Sequence, residues 1–256
     1  MRPVKGAGKE GERRLGGVLF LAALLLFWTA ATGRAGQVIG EAPEAAGLLL
    51  LFDLAKGPPP AFDRYFRVPE YTRRLQPGES FAVTLPAGRY AVGLYRSATG
   101  EPPPPRNGDI LCRHLTPSGE PATIVVPPTG AVQLSGIHRC ASFYLPDLDT
   151  LLAAAQNPAH VAGTKAVNTQ YTGIAGTVED KSGAPVAGIL VFARDTGRGC
   201  RFVSRPTDPL GRFLVLTDQG GEYQVEAAGG AFIANGPLTV ETNAIHTGVL
   251  LLPSLP

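Results

Sequence analysis

The chain has 256 residues, 44% of them apolar and only 17% charged, with Gly 32 and Pro 24 together making up more than a fifth. So much Gly and Pro excludes coiled coils and long helical bundles, because both residues are costly inside helices. Ordinary apolar content with a net charge of +2 excludes an extended disordered chain as well.

Residues 1–14 carry Arg2, Lys5, Lys9, Arg13 and Arg14, and Leu15 to Gly33 is free of charge. A basic start, a short apolar core and an exit through Thr29, Ala30, Ala31, Thr32 and Gly33 have the form of an export leader. Residues 1–36 are therefore expected to be a signal peptide cut between Ala31 and Gly36. The same stretch could also barely span a bilayer as an uncleaved single-pass anchor helix. Removing residues 1–35 takes away six basic and two acidic side chains and leaves 17 basic against 19 acidic, a net of −2. No basic stripe remains to displace counterions from phosphates, so no nucleic-acid partner is expected.

After the leader the sequence is a series of short apolar runs broken by Gly, Pro, Asn and Asp. Gly47–Asp53, Phe81–Leu85, Arg89–Tyr95, Ala122–Val126 and Ala131–Leu134 read as strands, with Tyr90, Val92 and Leu94 on one face. Asp147–Gln156 has good helix formers, acid in its first turn and Asn157-Pro158 as a stop. A second set of strands follows at Gly173–Val178, Val186–Ala193, Arg212–Thr217, Glu222–Ala228, Leu238–Glu241 and Thr247–Leu252. The fold class is all-β: two tandem antiparallel sandwiches at 37–140 and 172–256, joined by a linker with a short helix at 141–171. The two sets also resemble each other. Phe81-Ala-Val83 after Pro77 parallels Phe213-Leu-Val215 after Pro209, and Gly88-Arg-Tyr90 parallels Gly221-Glu-Tyr223.

Gly176-Thr-Val178, Gly183-Ala-Pro185, Gly188-Ile-Leu-Val191, Thr207-Asp-Pro-Leu-Gly-Arg-Phe213 and Gly221-Glu-Tyr223 follow one another in a characteristic order. In that order the region 172–252 resembles the carboxypeptidase regulatory-like domain, a transthyretin-like sandwich of about seven strands. Residues 40–138 look like a divergent relative. The resemblance implies a non-catalytic accessory, adhesive or ligand-binding module outside the cytoplasm: periplasmic, on the cell surface or secreted. Its expected partner is a protein or glycan of the cell envelope, with membrane contact only through an uncleaved leader. Gly173–Val178 has no Lys, so the Lys–Asn crosslink of related pilin sandwiches is not carried over.

The cysteines are Cys112, Cys140 and Cys200. Cys112 with Cys140 is the expected disulfide in an oxidising compartment, leaving Cys200 free or open to another chain, while a Cys140–Cys200 bridge is the alternative. The mirrored runs Cys112-Arg-His114 and His138-Arg-Cys140 allow a second use. On adjacent strands Cys112, His114, His138 and Cys140 would form a square suited to zinc or copper. No other cofactor is expected. Phe62, Tyr65, Phe66 and Tyr71 crowd the long excursion after Phe52 and are either a ligand patch, suited to sugar, or core. No Gly-x-Ser-x-Gly elbow, phosphate loop, Cys-x-x-Cys-His or His-Glu-x-x-His occurs, and no catalytic residues are expected.

Overall fold

The computed structural model describes residues 35–61, 66–116, 118–135, 139–156 and 171–253. The N-terminal half contains β1 (Ala35–Glu41), β2 (Gly47–Asp53), β3 (Tyr71–Leu75), β4 (Ser80–Pro86), β5 (Gly88–Arg96), β6 (Ile110–Arg113), β7 (Thr123–Val126), β8 (Ala131–Leu134) and β9 (Arg139–Ser142). One helix, α1 (Leu148–Gln156), follows. The C-terminal half contains β10 (Thr172–Val178), β11 (Val191–Asp195), β12 (Arg201–Val203), β13 (Arg212–Thr217), β14 (Gly221–Ala227), β15 (Phe232–Ile233), β16 (Leu238–Val240) and β17 (Ile245–Pro253). Among the described residues no helix is long and apolar enough to cross a membrane. The signal peptide expected at residues 1–36 lies outside the described residues up to position 34, and Ala35 and Gly36 belong to β1.

The N-terminal half is a sandwich. A three-stranded sheet, β4-β1-β8, faces a six-stranded one in which β3-β2-β5-β6-β9 run in order and β7 pairs β5. Val38, Phe81, Leu85 and Leu134 from the first meet Leu49, Leu51, Tyr90, Val92, Leu94 and Ile124 from the second. A strand buried on one face alternates, yet β2 reads Gly-Leu-Leu-Leu-Leu-Phe-Asp. The reason is a third layer. Leu50 and Phe52 point away from that core into a separate cluster with Phe66, Ala91, Tyr95, Leu111, Phe143 and Val203, and Leu190 and Phe192 pack against it. The larger sheet is thus covered on both faces, on its outer one by the C-terminal half.

Most strand pairings of the first half recur in the C-terminal half, although there β15 links β14 to β17 and the eight strands form one continuous sheet. β10 lies antiparallel to β13 and parallel to β17, as β1 lies antiparallel to β4 and parallel to β8. β11 pairs β12 and β14, and β14 pairs β16, as β2 pairs β3 and β5, and β5 pairs β7. Details recur with the pairings. Gly40 opposes Phe81 and Gly176 opposes Phe213, and in each first strand the glycine is required by close approach. A Cβ on Gly40 would lie 2.9 Å from the Phe81 ring, and one on Gly176 would overlap the Val249 carbonyl oxygen. The hydroxyl of Tyr90 donates to Pro86 O at 3.0 Å and that of Tyr223 to Gln219 O at 2.8 Å, four residues back in both cases. Burial pushes both phenols up to about 12. These are the corner tyrosines of β-sandwich folds.

Several expectations need adjustment. The strand expected at Val186–Ala193 begins only at Val191, because Gly188 takes φ +78° and its N–H bonds to Thr207 O across a loop. The boundary at residue 140 cuts through β9, which continues to Ser142 and delivers Phe143 to the core. β1, β3, β6, β9, β12 and β15 are additional strands, and β3 occupies part of the long excursion. The expected helix does form. Asp147 accepts the Thr150 N–H at 2.7 Å at its start, and Leu151 is buried in the C-terminal core.

Candidate binding site at the junction of the two halves

Three sets of contacts join the halves. The first is a strand addition. Val68 N–H donates to Arg201 O at 2.7 Å and Val203 N–H to Phe66 O at 3.2 Å, so residues 66–68 lie antiparallel along β12. This covers an edge that would otherwise present unpaired backbone groups.

The second is a charge cluster that segment carries inward. Arg67 is 1% exposed. Its guanidinium donates to Pro58 O at 3.0 Å, to Asp53 O at 2.6 Å and to the Glu70 carboxylate at 3.0 and 3.1 Å, and lies 5.8 Å from the Phe52 ring centroid. A Cβ on Gly57 would lie 3.4 Å from Arg67 Nη1 and 3.0 Å from Nη1 of Arg198, which places both guanidinia beside that glycine. Arg198 is neutralised in its own half: Nε bonds to Asp195 at 2.7 Å, and both terminal nitrogens bond to Asp218 at 2.7 Å. The Asp218 hydrogen bonds foremost hold the Arg198 guanidinium above its ordinary pKa. For Asp195 burial pushes the pKa up, but hydrogen bonds from Arg198 and Gly197 outweigh it and the carboxyl sits below the usual range. Behind the pair is Cys200, 1% exposed, its thiol pushed up to about 11 by burial. It is a core residue, closed to another chain and unbridged to Cys140.

The third set surrounds a cavity of about 180 Å³ under α1. Its walls are Phe66, Phe143, Leu145, Leu148, Leu151, Val203, Phe213, Leu214 and Leu216, with Pro104, Pro105, Pro146 and Pro206. Charged wall residues are Arg205, Arg212, Asp147 and Asp208. Arg212 is paired with Asp208 at 2.7 Å and with Asp149 at 2.8 Å. Arg205 reaches across the junction instead, donating from Nη2 to Asn107 Oδ1 at 2.8 Å and Leu145 O at 2.9 Å, and from Nη1 to Pro146 O at 3.4 Å. Asn107 completes the tie by exchanging two hydrogen bonds with the Leu145 backbone, at 3.1 and 2.9 Å. Burial holds the Arg205 guanidinium below its ordinary pKa.

The residues expected to be functional fare differently. Cys112 and Cys140 face each other in register on β6 and β9 and form a disulfide. That occupies both sulfurs, so neither is a thiolate for the zinc or copper square. His114 lies just past β6 and His138 falls outside the described residues. Among the described residues no group of three or more His, Cys, Asp or Glu could hold a metal ion. Of the aromatic patch, Phe66 is buried in the junction core and Tyr71 is half-buried with its ring edge-on to Tyr90 at 6.1 Å. Those two serve packing; Phe62 and Tyr65 lie outside the described residues. The junction residues Arg67, Arg198 and Arg205 escaped the sequence reading, since their partners are remote in the chain and no motif marks them.

No protein-family model matches the chain, and no curated protein does. Solved structures do match. One is the TIE protein of Bacillus anthracis, at 8% identity and TM-score 0.25 over 86% of this chain and 34% of that one. Another is a D295N mutant of the shaft pilin SpaA of Lactobacillus rhamnosus GG, at 9% and 0.23 over 87% and 99%. A streptococcal ancillary pilin matches at 14% and 0.24 over 89% and 64%. The chain thus spans about a third of the first and somewhat under two thirds of the last. Similarity at this level assigns no residue and no activity.

Proposed function

We propose that this chain is an exported, non-catalytic binding or scaffold protein of the cell envelope, built from two tandem sandwiches of the carboxypeptidase regulatory-like kind. The recurring strand pairings and the two corner tyrosines support the tandem reading. The observation that carries the role is the junction: a β-ladder between residues 66–68 and β12, and a buried guanidinium anchored behind it. Two units clamped in this way hold their outer surfaces at a fixed spacing, as a scaffold must. The Cys112–Cys140 bond suits an oxidising compartment, and residues 1–36 would serve as leader or anchor. A protein or glycan of the envelope is the proposed partner.

The test uses the full chain carrying a proximity-labelling tag in a bacterial envelope. The expected result is a chain in the envelope fraction, oxidised at Cys112 and Cys140, that labels a reproducible set of envelope neighbours. A reduced chain in the cytoplasm, or turnover of a substrate that disappears with one nucleophile, would overturn the proposal.

A further inference from the structure

We infer that the cavity under α1 is a binding site for a small monocarboxylate with an apolar body, its carboxylate taken by the Arg205 guanidinium. This goes beyond the scaffold role and does not depend on where the chain resides.

Size and lining define the body of the ligand. Close-packed interiors rarely leave a void much larger than a water molecule. An enclosed apolar cavity of about 150 Å³ takes up benzene; this pocket, open on one side, offers about 180 Å³ between Phe143, Leu148, Phe213 and Leu214. A single aromatic ring or a branched alkyl group fits, and a sugar, which needs polar groups along its whole length, does not.

Charge defines the head. Arg212 and Asp208 neutralise each other, and Asp147 caps α1 through the Thr150 N–H. Arg205 differs from them. All three of its hydrogen bonds end on neutral oxygens, the one from Nη1 is long at 3.4 Å, and Nε is buried with no hydrogen-bond partner among the described residues. A guanidinium has five N–H donors in a planar fork matched to a carboxylate. Arg205 is half-buried and the Asp147 carboxylate acts on it only through space, so an anion bonding directly to the guanidinium gains a charge-assisted hydrogen bond. An apolar chamber whose wall holds one guanidinium with no carboxylate hydrogen-bonded to it selects a ligand with a greasy body and a single negative end.

Titration calorimetry on the purified mature chain tests this with phenylacetate and 3-methylbutanoate against the neutral isostere phenylacetamide. Phenylacetate is expected to bind about tenfold tighter than its amide, the value of one charge-assisted hydrogen bond. Arg205→Gln should remove that preference while leaving weak binding of both compounds. Leu148→Phe, at a half-buried position in the first turn of α1 on the chamber wall, should fill the chamber and weaken both by a similar factor. Equal binding of acid and amide to the wild type, a preference that survives Arg205→Gln, or no binding of any probe would each overturn the assignment. Failure here leaves the envelope proposal standing, because that one is read from location and labelling.

Discussion

The junction makes its strongest prediction at Arg67, where Arg67→Met keeps the length of the side chain and removes its charge. The variant deprives Asp53 O and Pro58 O of their donor and leaves Glu70, 11% exposed, holding a charge with only the Asp53 N–H at 2.8 Å to compensate it. Removing one partner of a buried ion pair costs about 3–5 kcal/mol, and the lost cation–π contact with Phe52 adds to the polar loss. The better packing of a methionine offsets part of this, so the expected net is about 4 kcal/mol, or roughly 12 °C in Tm for a chain of this size. The assay is urea unfolding of wild type, Arg67→Met, Glu70→Gln and the double variant. Because most of the damage in the single variant is the stranded carboxylate, the double variant should recover at least about 1.5 kcal/mol of it. A loss below about 1 kcal/mol for Arg67→Met, or strict additivity of the two substitutions, would refute the idea that this guanidinium clamps the halves.

Three further outcomes follow from the same structure. Replacing Cys112 and Cys140 together by Ser opens a loop whose sequence separation is 28 and should cost about 3.6 kcal/mol in the chain-entropy account; thiol titration of native wild type should meanwhile find no reactive group until denaturant exposes Cys200. Gly176→Ala should cost about 3 kcal/mol because β10 must move off β17, whereas Gly188→Ala, in open space at φ +78°, should cost about 1 kcal/mol, both read from thermal melts. Asp109 is buried, which raises its pKa, but N–H groups of Arg106 and Ala98 and the Tyr95 hydroxyl outweigh this and hold it below its ordinary value of 3.8. Its ionised form therefore stabilises the fold above 3.8, and that contribution is lost as pH falls from there through the folded-state value. Asp109→Asn should be about 2 kcal/mol less stable at neutral pH, with the difference from wild type shrinking in acid; a gap that stays constant down to acid unfolding would contradict the assignment.

Sequence alone exposes the strands whose alternation is enforced by one dry face and one wet face. β4 and β14 belong here, as do the paired turns before Phe81 and Phe213, and the disulfide emerges from cysteine counting. It fails where a residue answers to a partner far away in the chain. The run Leu48–Phe52 shows a strand, but not that its alternate side chains feed two different cores. Arg67 resembles any surface arginine in sequence, since its burial depends on residues 66–68 finding β12 more than a hundred positions later. At the metal square and the aromatic patch the sequence leaves two uses open. Mirrored Cys and His suggest ligation, but strands in register bring the sulfurs close enough to bond to each other. Clustered aromatics suggest a platform, yet Phe66 and Tyr71 turn inward to pack.

In each half the first strand runs parallel to a later one, β1 beside β8 and β10 beside β17, and in the C-terminal half that partner is also the last strand. Tension applied through the chain at either end of such a pair drags the two strands past each other along their length. Their cross-links then bear the load together and must rupture at once, whereas an antiparallel pair pulled apart at its open end would unzip rung by rung. With the chain held at Thr172 and Pro253, β10 and β17 form one such lock, and stretching a single molecule between those points would register its failure as one distinct high-force event.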